Sequence, residues 1–151
     1  MNLNKVSDQE LKQEFIRRFY VFDEKPIVNN SVRCNELLTA HYINLDQTRE
    51  HFSVIYLNGR NQVIDIETEF TGSITSSAVY PREIMKKVLN KGAVSVIFAH
   101  NHPSGNNNPS QDDKRITDRL KAALGHIDVS VLDHIILAGA GFYSFSENGL
   151  I

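Results

Sequence analysis

Two histidines, a serine and an aspartate follow one another at short intervals in the second half of the chain. His100 and His102 come directly after the apolar run 94–99, and Ser110 and Asp113 follow after seven further residues. Residues i and i+2 of a strand point to the same face, so both imidazoles can reach one point. Imidazole nitrogen and carboxylate oxygen are zinc ligands, and Asp113 can supply the third from the next helix. Such a set leaves a fourth position for water, which is typical of catalytic zinc sites and makes that water acidic near neutral pH.

Each part of this pattern also has a purely structural interpretation. Two histidines at i and i+2 are weak evidence by themselves, and Ser110-x-x-Asp113 is also a capping box that starts a helix. The two roles of Asp113 compete, because an oxygen bound to metal is poorly placed to reach the N-cap amide. Ser110 is therefore expected to cap the helix and to point its hydroxyl into the site. It is the conjunction of these features that predicts a metal site.

The elements that position these residues alternate between helices and strands. Apolar spacing, capping residues and turn signals predict both kinds of element along the chain. The predicted helices are 8–20, 32–42 with Ser31 as N-cap, 81–91 and 111–124. The predicted strands are 50–57, 62–69, 94–99, 129–137 and 142–145, with 72–79 either a further strand or an irregular edge. This mixture indicates an α/β or α+β protein with helices against a mixed sheet.

The N-terminal residues 1–25 form a predicted amphipathic helical extension, and 26–151 form the main domain. The extension begins with a capping box, Ser7 to Glu10, and its apolar stripe must pack on another surface. That surface is either the main domain or a second subunit, so a homodimer is one of the two expectations.

Composition limits the class of protein. The chain has 151 residues, 41% hydrophobic and 23% charged, with a net charge of -2, which fits one globular domain. This net charge does not indicate direct DNA binding, although it is compatible with local basic patches on the folded surface. The single cysteine, Cys34, excludes an intrachain disulfide and is expected to be a buried thiol. No signal peptide or membrane span is recognisable, so a cytoplasmic protein is expected.

The motif carries a family resemblance. His100-x-His102, seven residues, Ser110-x-x-Asp113 resembles the JAMM motif of the MPN+/JAB metalloproteases. The string AHNHPSGNNNPSQDD, with YPREI before it and VLDHIIL and YSFSENGLI after it, resembles the RadC-like JAB domain more closely. The similarity covers about residues 26–151. It implies a cytidine-deaminase-like, JAB-type fold, in which helices flank a curved mixed sheet. The chain resembles the short form that lacks a helix-hairpin-helix domain.

The resemblance also implies roles for the motif residues. His100, His102 and Asp113 would bind one Zn²⁺ ion, with a water as the fourth ligand. Ser110 would help to stabilise the oxyanion of a tetrahedral intermediate. A glutamate would act as general base, and it must lie within hydrogen-bond reach of that water.

The general base has to come from elsewhere in the chain. The family carries it at the start of the first strand after the first main helix, and Glu50 stands at that position here. Without the resemblance, Glu50 would be interpreted as a solvated carboxylate at a strand edge. Three rival carboxylates remain: Glu67, Glu69 and Glu83.

Four further histidines lie outside the motif. His134, in a predicted buried strand, is expected to be either a core histidine or a group that supports the ligands from behind. The others are expected at the surface or at its boundary: His41, His51 and His126.

Three functions compete. The first is a zinc metallopeptidase of the JAMM/MPN+ type, which hydrolyses a peptide or isopeptide bond in an unidentified peptide or protein. The alternative is a DNA-repair-associated accessory protein that interacts with DNA or a repair partner, as the historical label on RadC-like sequences suggests. The basic pairs 86–87 and 114–115 are small for that role. The third is a zinc-holding scaffold without turnover, which the open coordination position disfavours.

Overall fold

The structure, a computed structural model, describes residues 7–20 and 25–151. These residues form helices and strands that alternate along the chain. The helices are α1 (Asp8–Tyr20), α2 (Ser31–Tyr42), α3 (Pro81–Lys91) and α4 (Gln111–Gly125). The strands are β1 (His51–Leu57), β2 (Val63–Thr71), β3 (Ser95–Asn101), β4 (Ser130–Ala138) and β5 (Gly141–Ser144).

The five strands form one mixed sheet in the order β2-β1-β3-β4-β5. Strand β1 runs antiparallel to both β2 and β3, and β5 runs antiparallel to β4. Strands β3 and β4 are parallel and are connected through α4, which makes a βαβ unit. The predicted class, a mixed sheet flanked by helices, is therefore confirmed.

The helices cover both faces of the sheet. Alternate residues of β1 and β3 point to opposite faces and enter two buried clusters. One cluster contains apolar residues of α3 and α4: Ile84, Val88, Ile116, Leu120 and Leu124. The other contains residues of α2: Cys34, Leu37, Leu38 and Tyr42. Cys34 is the buried thiol that the sequence predicts, because only 1% of its surface is exposed.

The helix starts follow local capping chemistry, with one correction. Helix α1 begins with the predicted capping box, in which Glu10 Oε2 accepts from the Ser7 amide at 2.8 Å. Helix α2 is capped by Asn30 and not by Ser31 as predicted, because Asn30 Oδ1 accepts the Arg33 amide at 2.8 Å. Asparagine and serine cap helices about equally well, so residue type alone does not distinguish these two adjacent positions. Helix α3 ends at Gly92, whose φ of 66° is left-handed.

The segment between β2 and α3 is irregular, which decides between its two predicted states. Gly72 has a φ of 134°, a backbone conformation that residues other than glycine rarely adopt. Residues 75–78 then form a turn closed by the Ala78 amide and the Thr75 carbonyl. The chain therefore leaves the sheet at this point.

The predicted N-terminal extension contains α1, which contacts α2. Residues 1–6 and 21–24 belong to the same predicted extension and lie outside the described residues. Within the described residues, no helix combines the length and apolar character needed to cross a membrane.

Candidate metal centre

Three of the predicted ligands converge at the carboxyl end of β3. His100 Nε2 lies 2.9 Å from His102 Nε2 and 3.1 Å from Asp113 Oδ1. His102 Nε2 lies 3.3 Å from Asp113 Oδ2. His100 is fully buried and is the second-last residue of β3. Asp113 is 3% exposed and lies in the first turn of α4. The three side chains form a group whose ligand atoms could hold one metal ion.

The donor set fits a metal ion. Neighbouring ligand atoms of a tetrahedral zinc site lie about 3.3 Å apart, which is close to the separations seen here. His102 Nδ1 donates to the Asn106 carbonyl at 2.7 Å, because a carbonyl can only accept. A neutral His102 therefore presents the bare lone pair of Nε2 to the cluster. Lone pairs and a carboxylate that face one another repel unless a proton or a cation lies between them, and a metal ion can take that place.

The electrostatics of the three groups agree with this requirement. Burial by itself would raise the pKa of Asp113, but the imidazoles of His100 and His102, which donate to it when Nε2 carries a proton, outweigh burial and hold that pKa well below its usual range. The hydrogen bond with Asp113 raises the pKa of His102. Asp113 is thus a carboxylate throughout the neutral range, and it attracts positive charge to the cluster.

Asp113 takes part in the capping box with the same carboxylate that faces the two histidines. Asp113 Oδ2 accepts from the Ser110 amide at 2.7 Å while both carboxylate oxygens face the histidines. In return, Ser110 Oγ accepts from the Asp113 amide at 3.0 Å and completes the capping box. One carboxylate can serve the cap and face the histidines together, because each carboxylate oxygen has more than one lone pair. The Ser110 hydroxyl proton remains available to the cleft.

The cluster opens on a cleft of about 680 Å³. Its walls come from the segment before β1, the irregular segment after β2, the loop after β3 and the start of α4. The lining residues that matter for chemistry are Glu50, His102, Ser110 and Asp113. The candidate base therefore faces the same cleft as two of the three predicted ligands, His102 and Asp113.

Glu50 is fixed in this cleft by two sets of contacts. Its Oε2 accepts from the Ile74 amide at 2.8 Å, and a carboxylate's second oxygen can still accept a proton. The side chain of Asn101 bonds to both neighbours of Glu50. It accepts the His51 amide at 2.7 Å and donates to the Arg49 carbonyl at 2.9 Å. Asn101 lies between His100 and His102 in the sequence, so its side chain links the backbone around Glu50 to the strand that carries the predicted ligands.

The rival carboxylates lie elsewhere. Glu69 accepts from Lys87 and, at 2.6 Å, from the Tyr56 hydroxyl. Glu67 pairs with Lys87 at 2.9 Å and with Lys91 at 3.1 Å. Glu83 begins α3 and pairs with the adjacent Arg82 at 3.4 Å. None of these three carboxylates lines the cleft.

The same ion pairs weaken the case for a basic DNA-binding surface. Lys87 is neutralised by two glutamates of β2, and Arg115 faces Asp112 at 3.6 Å. Phosphate contacts need clusters of lysine and arginine, and in each of the two basic pairs one residue already faces a carboxylate.

The remaining histidines differ in burial, and one prediction was wrong. His51 is only 4% exposed, because its ring nitrogens bond to Thr71 Oγ1 and the Asp46 carbonyl. Its position at the first residue of β1 gave no sign of these partners. His41 is half-buried and His126 is exposed, as predicted. His134 is fully buried, and its Nε2 lies 2.7 Å from His100 Nδ1.

Comparison with known proteins gives a consistent result. Residues 28–150 match the family model of the RadC-like JAB domain. The UPF0758 protein YfjY of Escherichia coli (strain K12) is 53% identical over 103 residues, which cover 68% of this chain and 64% of YfjY. The UPF0758 protein YkfG of the same strain is 48% identical over 116 residues, 77% of this chain and 72% of YkfG.

A third relative matches almost the full length of the chain. The UPF0758 protein PSHAa2643 of Pseudoalteromonas translucida (strain TAC 125) is 45% identical over 142 residues, 94% of this chain and 62% of the relative. The matches thus span about two thirds of these relatives' length. The fold, the convergent ligand set and these matches agree, and the chain belongs to the RadC-like JAB domain family.

Proposed function

We propose that this protein is a zinc-dependent hydrolase of the JAMM type that cleaves a peptide or isopeptide bond. The observation that carries the proposal is the cleft in which His102 and Asp113 of the ligand cluster lie with Glu50 and Ser110. A cluster with three protein ligands and an open side is typical of catalytic zinc sites and not of structural ones.

The chain's own residues would divide the chemistry among them. His100, His102 and Asp113 would hold the ion, which when bound supplies a Lewis acid that polarises a carbonyl and acidifies a water. Glu50 would accept a proton from the attacking water and deliver it to the leaving amine as the C–N bond breaks. The Ser110 hydroxyl would donate to the oxygen that develops negative charge.

Zinc should raise the melting temperature of the metal-free protein. The three ligand atoms come together only in the folded state, so binding stabilises that state by about 4 kcal/mol at a free zinc concentration about 1,000-fold above Kd. For a chain of this size the melting temperature should rise by roughly 10 °C. Differential scanning fluorimetry with zinc, and with magnesium as the control, measures the effect. An equal rise with both ions, or none with zinc, would contradict the assignment.

The zinc-loaded protein should cleave members of a proteome-derived peptide library that also contains lysine-branched peptides. Mass spectrometry of newly formed amines detects both peptide and isopeptide hydrolysis. Cleavage should disappear after chelation and return when zinc is restored, because the ligand cluster acts only with its ion. If a protein that holds one equivalent of zinc cleaves no member, a non-catalytic scaffold becomes the better explanation.

A further inference from the structure

A buried chain of hydrogen bonds runs behind the ligand cluster. His100 Nδ1 lies 2.7 Å from His134 Nε2, and His134 Nδ1 lies 2.6 Å from Thr117 Oγ1. Thr117 Oγ1 also lies 2.6 Å from the carbonyl oxygen of Asp113. All four residues are at most 3% exposed. This series of hydrogen bonds therefore begins at one predicted metal ligand, His100, and ends on the backbone of another, Asp113.

The position of each proton in this series of hydrogen bonds follows from its last acceptor, the Asp113 carbonyl. The Asp113 carbonyl can only accept, so the Thr117 hydroxyl donates to it. If His134 Nδ1 were bare, a single hydroxyl proton would have to serve two contacts of 2.6 Å, and one pair of polar atoms would touch with no proton between them. His134 Nδ1 therefore carries a proton and donates it to Thr117.

This arrangement decides which nitrogen of His100 is free. With its proton on Nδ1, a neutral His134 has a bare Nε2 that accepts from His100 Nδ1. His100 then presents the lone pair of Nε2 to Asp113 Oδ1 and His102 Nε2. We infer that His134 and Thr117 are positioning residues that fix His100 in the tautomer able to bind the metal.

Packing in the core does not by itself explain why a histidine, and not an apolar residue, stands at position 134. Three aromatic rings surround it, with ring centroids 5.7 Å away for Phe52, 5.9 Å for Phe98 and 4.7 Å for Phe145. An apolar ring would suit this surrounding, whereas a buried imidazole costs free energy unless its nitrogens are bonded. Both nitrogens of His134 are bonded, and one of them bonds to a predicted ligand.

The backbone around His134 is also held in place. The neighbouring Asp133 carboxylate accepts the amides of His134 and Ser146 at 2.7 and 2.9 Å, and the Ser144 hydroxyl at 2.6 Å. These bonds tie the chain after β5 to β4 and bring Phe145 onto the His134 ring. The imidazole therefore has little freedom to turn away from His100.

The inference rests on the proposed metal site, and zinc affinity tests the two separately. His134→Phe keeps an aromatic ring but removes both nitrogens, so zinc affinity should fall by about 10- to 100-fold. His134→Gln can still accept and donate, and it should recover much of the loss. Thr117→Val should weaken binding, whereas Thr117→Ser keeps the hydroxyl and should bind like the wild type. His41→Phe is the matched control, since His41 also bonds to a threonine, Thr68, on the far strand β2.

Competition with a fluorescent zinc chelator gives the affinities, and circular dichroism confirms that each variant is folded. Nitrogen-15 NMR of the metal-free wild type at mildly alkaline pH gives the tautomers without any ion. We expect the Nδ1–H tautomer for His134. An Nε2–H tautomer, or equal zinc affinity of a folded His134→Phe and the wild type, would overturn the inference and leave the metal site standing. If the wild type itself binds no zinc, the proposed function fails first. Should His134→Phe not fold, the NMR result and the two Thr117 variants decide.

Discussion

Asp113→Asn should lower zinc affinity by more than about 100-fold, beyond the loss typical of residues that only support a ligand. The substitution removes the negative charge that both histidines face at 3.1 and 3.3 Å. The asparagine carbonyl oxygen can still accept the Ser110 amide, so α4 should keep its cap and the protein its fold. Chelator competition measures the affinity, and circular dichroism reports the fold.

Asp112→Asn is the matched control for this variant. It makes the same change of charge one residue earlier on α4, where the carboxylate is exposed and faces Arg115. Zinc affinity of this control should stay within a few-fold of the wild type. Wild-type affinity in Asp113→Asn would remove Asp113 from the ligand set.

Glu50→Gln should reduce the rate of hydrolysis by about 10²- to 10⁴-fold, the usual contribution of a general base. A glutamine keeps the bond to the Ile74 amide through its carbonyl oxygen, but it cannot take a proton from water. Zinc affinity should not change, because Glu50 is not in the ligand cluster. The measurement is kcat on a peptide that the library identifies, with bound zinc determined on the same sample.

The control for Glu50→Gln is Glu83→Gln, which removes a rival carboxylate that is exposed at the start of α3. Its kcat should equal that of the wild type. Full activity in Glu50→Gln with zinc still bound would assign the base to another group. Loss of zinc in the same variant would instead give Glu50 a part in holding the ion.

Sequence patterns predicted the elements that carry the ligands because these depend on local chemistry. The apolar run before His100 is long enough for one buried strand, and Ser110 marks the start of the next helix. The connection between them, residues 103–109, is long enough to bring the helix start back to the strand end. Spacing along the chain was thus sufficient to bring His100, His102 and Asp113 together in the prediction.

The rest of the site depends on contacts between distant residues, which no local pattern reveals. The buried state of His51 requires a threonine twenty residues later, and the support of His100 requires His134 on a neighbouring strand. The irregular path after β2 is fixed by the bond from the Ile74 amide to the Glu50 carboxylate. Sequence reasoning could name His134 as a candidate for support, but not the direction of its hydrogen bonds.

The amide of Asn101 has a consequence for the motions of this protein. Its two bonds to the backbone on either side of Glu50 add to the pairing between β1 and β3, which begins one residue further along at Phe52 and His100. Glu50 can move away from the histidines only when those bonds and the adjoining strand pairs open together. Such openings belong to the rare, cooperative unfolding of a central sheet and not to the frequent fluctuations of a loop. Although Glu50 lies at the rim of a cleft, its backbone should therefore be as long-lived in its position as the core of the sheet.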